Sequence, residues 1–84
     1  MALMVRREQY ERLERHLRAS GRQRVELTFD EVAKVIGEPL PRSAYQHSAW
    51  WASDAKHTQA TWLDAGYVAS PNQTAQRVTF TRTP

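Results

Sequence analysis

Residues 24–37 read RVELTFDEVAKVIG, and the hydrophobic period changes part-way through them. Over residues 24–29 the apolar side chains alternate, with Val25, Leu27 and Phe29 on one side and Arg24 and Glu26 on the other. That is a short strand with one buried face. From Thr28 the spacing turns helical, and Thr28 to Glu31 has capping-box chemistry. The threonine hydroxyl accepts from the Glu31 amide while the Glu31 carboxylate reaches back to the cap. The helix so started carries Val32, Ala33, Val35 and Ile36 and stops at Gly37.

Upstream, residues 6–20 place Tyr10, Leu13 and Leu17 on one helical stripe, and Gly21 ends the helix. Seven arginines crowd this first quarter: Arg6, Arg7, Arg12, Arg15, Arg18, Arg22 and Arg24. Glu8 and Arg12, Glu11 and Arg15, and Glu14 and Arg18 are four apart with the acid first, the favourable order for helix ion pairs. That run is a solvated helix face before it is a nucleic-acid patch.

Downstream, Pro39 and Pro41 force an extended connection, because each disfavours helix in the residue before it. Ser43 to Gln46 repeats the capping-box spacing and predicts a second short helix over residues 44–52. Ser53 or Asp54 caps a third, over residues 56–65, which stops at Gly66. Residues 67–70 and 76–82 read as strands, the latter with Val78 and Phe80 on one face. A polar hairpin loop, residues 71–75, joins them. The predicted fold is a small α+β, winged-helix-like single domain over residues 1–84, a helix-turn-helix with a C-terminal β-hairpin, in which residues 1–5 are flexible. The run TFDEVAKVIG resembles the first helix and turn of many helix-turn-helix DNA-binding domains: acidic start, inner alanine, glycine at the turn.

Adjacent tryptophans in HSAWWASD, residues 47–54, cannot both face the core from one helix. At 100° per residue, Ala44, Tyr45, Ser48, Trp51 and Ala52 share one side, and Gln46, His47, Trp50 and Ser53 the other. Trp51 is then a core anchor. Trp50 either edges a small core, against Trp62, or belongs to a contact surface. On the third helix His57, Thr58, Thr61 and Asp64 lie opposite Ala60 and Leu63, with Lys56 and Gln59 at the edges. The candidate DNA-binding residues are therefore Arg42, Ser43, Gln46, His47, Trp50, Ser53, Lys56, His57, Thr58, Gln59 and Thr61, with Asn72 and Gln73 from the hairpin loop. Side chains of these types grip phosphates and read base edges.

The stretches PRSAY, AWWASD, HTQA, WLDAGY and VTFTR, spread over residues 41–82, together resemble a family of small bacterial domains of unknown function. Its pattern has the form LPxSAxxxxAWWxxDxxHxQAxxWLxAGY followed by VTFxR. The resemblance covers most of the chain from Leu27 onward, and Ser53 stands where the family often has asparagine. It implies a shared fold and brings no activity.

Composition narrows the rest. The chain has 84 residues, 40% hydrophobic and 25% charged, with a net charge of +3 and ten arginines among its twelve cations. There is no cysteine, so neither a disulfide nor a thiolate metal site holds it together. His47, Asp54 and His57 are the only candidates for a catalytic or metal cluster, and their spacing matches no metal signature. No phosphate-binding glycine loop or nucleophile elbow is present. The reading is a cytoplasmic, non-enzymatic protein without cofactor or metal, and with no membrane segment. Its expected partner is double-stranded DNA. The rival is a protein partner or a homodimer docked through the same tryptophan-bearing surface, since contact hot spots favour tryptophan and arginine.

Overall fold

The change of period at Thr28 is a change of element. In the computed structural model, which describes residues 5–54 and 59–83, strand β1 covers Arg24–Thr28 and helix α2 begins at once, Phe29–Ile36. Thr28 Oγ1 accepts from the Glu31 amide at 3.0 Å, and Glu31 Oε1 accepts from the Thr28 amide at 2.7 Å. Both halves of the expected box are formed. At the other end Gly37 is left-handed, with φ 83° and its amide on the Ala33 carbonyl. The Arg12 guanidinium lies 2.5 Å from where a Cβ would stand and would have to swing aside, but it is the left-handed backbone that favours glycine there.

Helix α1, Val5–Ser20, buries Tyr10, Leu13 and Leu17 and packs against α2. Strands β2, Tyr67–Asn72, and β3, Arg77–Arg82, pair antiparallel, and β3 also pairs antiparallel with β1. The sheet order is β1-β3-β2. One face points inward through Val25, Val78, Phe80 and Tyr67, while Arg24, Glu26, Thr79, Thr81 and Ser70 point outward. β2 runs two residues further than expected, through Pro71 and Asn72. Proline is tolerated there because β2 is an edge strand. The architecture is a small α+β fold, with three α-helices and a three-stranded antiparallel sheet among the described residues.

Between α2 and β2 the chain departs from expectation. The helix predicted over residues 44–52 is instead a five-residue α3, Arg42–Gln46, and a separate 3-10 turn, Ser48–Trp51. His47 breaks them with an extended backbone, φ −128° and ψ 118°. The helix predicted over residues 56–65 is represented among the described residues by a second 3-10 turn, Thr61–Leu63. Its first turn lies outside the described residues, as do residues 1–4 of the flexible start predicted over residues 1–5, whose last residue, Val5, instead begins α1. No helix among the described residues is long and apolar enough to cross a membrane.

Candidate functional site

Helix α3 starts two residues earlier than its capping-box spacing suggests. Pro41 is the N-cap, without a side-chain cap, and Ser43 sits inside the first turn. Ser43 therefore caps nothing; its carbonyl takes the His47 amide at the other end. Ala44 is fully buried and the Tyr45 ring meets Phe29 edge-on at 5.3 Å. Arg42, Ser43, Gln46 and His47 remain exposed.

A side chain ends the helix. Continuation would need the Ala44 carbonyl to accept from the backbone four residues on. That carbonyl accepts instead from the Trp51 indole N–H at 2.8 Å and from Gln73 Nε2 at 3.2 Å. The first bond draws Trp51 back under α3; the second ties the β2–β3 turn to it. The turn is itself well held: Asn72 Oδ1 accepts from the Ala75 amide, and the Gln76 carbonyl accepts from Phe29 at the start of α2. The Gln73 bond thus sets the hairpin turn, with Asn72 and Gln73, beside α3, a polar end of the molecule that carries Arg42, Ser43, Gln46 and His47. Gln73 is half-buried by its structural bond, and Asn72 is exposed.

Trp51 is completely buried, stacked between Phe29 at 5.1 Å and Trp62 at 5.8 Å. Trp50 is half-buried. It meets the Trp51 ring edge-on at 4.7 Å and the Tyr10 ring of α1 at 6.1 Å. The helical wheel thus assigns Trp51 correctly although the backbone is not an α-helix, and Trp50 edges the core against Tyr10.

The remaining predicted contact residues divide sharply. Thr61 is 1% exposed, and its hydroxyl donates to the Tyr10 carbonyl at 2.6 Å. Its placement on a DNA-facing surface is corrected: it is a buried tie between the second 3-10 turn and α1. Gln59 is half-buried and donates to the Trp50 carbonyl at 3.0 Å. Ser53 is exposed as a residue, yet its oxygen accepts from the Trp62 indole and from the Ala69 amide, each at 3.3 Å. Lys56, His57 and Thr58 lie outside the described residues.

The arginines of α1 are more occupied than an exposed helix face implies. Arg18 pairs with Glu14 at 2.9 Å and also donates to the Asp64 carbonyl. Arg12 reaches the Ile36 carbonyl at the end of α2, where a cation meets the negative pole of the helix. Sequence spacing gives the Glu14 pair but not the two carbonyl contacts, which span 46 and 24 residues. The missed cation near the polar end is Arg77, which follows the turn directly and is exposed beside Glu26 at 3.6 Å. An open cleft of about 430 Å³ behind α3 is lined by Asp30, Lys34, Glu38 and Tyr45 among others. It carries both signs of charge.

The sequence model of a family described as Domain of unknown function (DUF7662) matches residues 10–84. No curated protein and no solved structure matches the chain.

Proposed function

We propose that this chain, which belongs to the DUF7662 family of domains of unknown function, is a binding protein whose ligand is nucleic acid, double-stranded DNA in the first instance. The observation that carries the reading is the Gln73–Ala44 bond, which joins the hairpin turn to α3. It brings the hairpin turn, with Asn72, next to α3, with Arg42, Ser43, Gln46 and His47, residue types able to grip phosphate and offer amides to base edges. Support for a winged-helix-like mode is the order helix, strand, helix, helix, strand, strand, with β1 and β2 flanking β3. The departure is α3, whose five residues present little more than one turn to a groove. Contact is then shared between that turn and the hairpin.

The charge is mild, so non-specific affinity belongs at the weak end, micromolar or weaker. A mobility shift on random duplex and on single-stranded DNA at two salt concentrations tests it. Duplex binding at low salt that falls steeply with added salt is expected. A folded protein that shifts no duplex at low salt refutes the proposal. Arg42→Ala and Lys56→Ala should weaken binding more than Arg12→Ala, Arg15→Ala or Arg18→Ala. Larger losses from the α1 variants would put the surface on the other side of the molecule.

A protein partner on the same surface would use Trp50 as its anchor. That ring already packs on Tyr10 and Trp51, which leaves less of it to offer. Salt separates the two readings, because a tryptophan-centred contact weakens far less than phosphate binding.

A further inference from the structure

The two edges of the sheet are finished differently. On β2 the outward-facing backbone belongs to Tyr67, Ala69 and Pro71, because Val68, Ser70 and Asn72 exchange their bonds with β3. Ser53 covers the Ala69 amide, and Pro71 has no N–H to offer. That edge is blunted. On β1 the bonds Phe29 to Gln76 and Arg82 to Gln23 fix the alternation, so Val25 and Leu27 face β3. Arg24, Glu26 and Thr28 face outward. The Thr28 amide is taken by Glu31, whereas the amides and carbonyls of Arg24 and Glu26 have no partner among the described residues.

We infer that this open edge pairs with β1 of a second copy, antiparallel about a two-fold axis through Val25. Only outward-facing residues with free backbone groups can exchange bonds, and Thr28 is taken up as the cap of α2, so the registers that remain are centred on Arg24, Val25 or Glu26. Centring on Arg24 sets two arginines opposite each other, and centring on Glu26 sets two glutamates. The Val25-centred register alone sets Arg24 against Glu26 of the second copy, twice over, with four backbone hydrogen bonds between the strands. Both side chains are exposed and lie on the outer sheet face. Arg24 forms no ion pair among the described residues, and Glu26, beside Arg77 at 3.6 Å, gains a second cation. The product is one six-stranded sheet with both β1 edges removed. The contact is short, so the dimer is weak and salt-sensitive. It uses none of the residues of the polar end and stands or falls independently of nucleic-acid binding.

Sedimentation equilibrium at low salt over a range of concentrations tests it. A monomer–dimer equilibrium is expected, weakened about tenfold or more by Arg24→Glu or by Glu26→Arg, since either sets like charges opposite each other. The combined R24E/E26R exchange should restore association. In the unaltered protein, exchange of the Arg24 and Glu26 amides should slow as concentration rises, a readout that needs no variant to fold. A folded protein that stays monomeric up to about millimolar concentration overturns the inference. So does a dimer indifferent to both single variants, or one that forms while those two amides exchange at the dilute rate.

Discussion

Residues 24–37 and residues 41–66 both send side chains into the core, and they are held by different kinds of bond. The first stretch is held by backbone ladders to β3, intrahelical bonds and a capping box closed within four residues. The second holds, among its described residues, five residues of α-helix and two 3-10 turns, fastened by side chains that reach distant backbone carbonyls. Trp51 and Gln73 share the Ala44 carbonyl, Gln59 takes that of Trp50, and Thr61 takes that of Tyr10. Irregular backbone is stable when its polar groups are paired by other means. The consequence is that single side chains matter more in the second stretch than in the first.

The test with the largest expected effect is Trp51→Ala. It empties the space beside Phe29 and Trp62 and leaves the Ala44 carbonyl with Gln73 as its one side-chain donor among the described residues. Truncations of this size cost about 3–5 kcal/mol, a large share of a small domain's stability. Trp50→Ala removes a half-buried ring from the edge of Tyr10 and should cost about 1–2 kcal/mol. Thermal melts of both variants decide it, with DNA titration of whichever remains folded. Equal destabilisation would make Trp50 as much a core residue as Trp51.

That contrast also marks what could be read beforehand. The β1–α2 junction, the stripe on α1 and the inward Val78 and Phe80 carry their signals within a few residues, and all three were legible. Trp51 was legible as core because aromatic size and small neighbours demand burial under any local geometry. The helix over residues 44–52 was not, because the Ala44 carbonyl is taken by the Trp51 indole and by a turn residue, Gln73, 29 positions away. The Ser43–Gln46 spacing misled for a local reason: with Pro41 as N-cap, Ser43 is already inside the helix. Thr61 was assigned to the surface by a helical wheel laid on a 3-10 turn, and the 51-residue tie to Tyr10 leaves no local trace. Of the predicted contact residues, Arg42, Ser43, Gln46, His47 and Asn72 are exposed, on α3 and at the hairpin turn.

A middle-sized effect is expected at Ser53, which serves both the second stretch and the sheet. Ser53→Ala removes the acceptor of the buried Trp62 indole N–H and uncovers the Ala69 amide on the β2 edge. Leaving a buried donor unpaired costs about 1–3 kcal/mol. The newly open edge should also raise the tendency to self-associate. Melting curves together with light scattering would show both. A variant as stable and as monodisperse as the parent would mean that solvent replaces the hydroxyl fully at both donors.

The smallest effect belongs to the first stretch, at Glu31. The Thr28 amide holds the Glu31 carboxyl below its ordinary range, with the Thr28 hydroxyl and the nearby charges of Arg77 and Lys34 acting the same way against a weaker opposing desolvation. A carboxyl whose folded pKa is lower than its unfolded one binds fewer protons when folded, so it adds stability as pH rises through that interval. Its contribution is complete above the unfolded value, about 4.3, and is lost as pH falls through the folded one. Glu31→Gln keeps the capping geometry but cannot titrate. The parent should therefore lose thermal stability between about pH 5 and the acid limit more steeply than the variant, with the two curves running parallel above that range. The side chain is exposed, so the separation should be small, well below that of Ser53→Ala. An acid limb of identical slope in both proteins would show that the box contributes geometry without charge, and a steeper limb in the variant would reverse the sign assigned to Glu31.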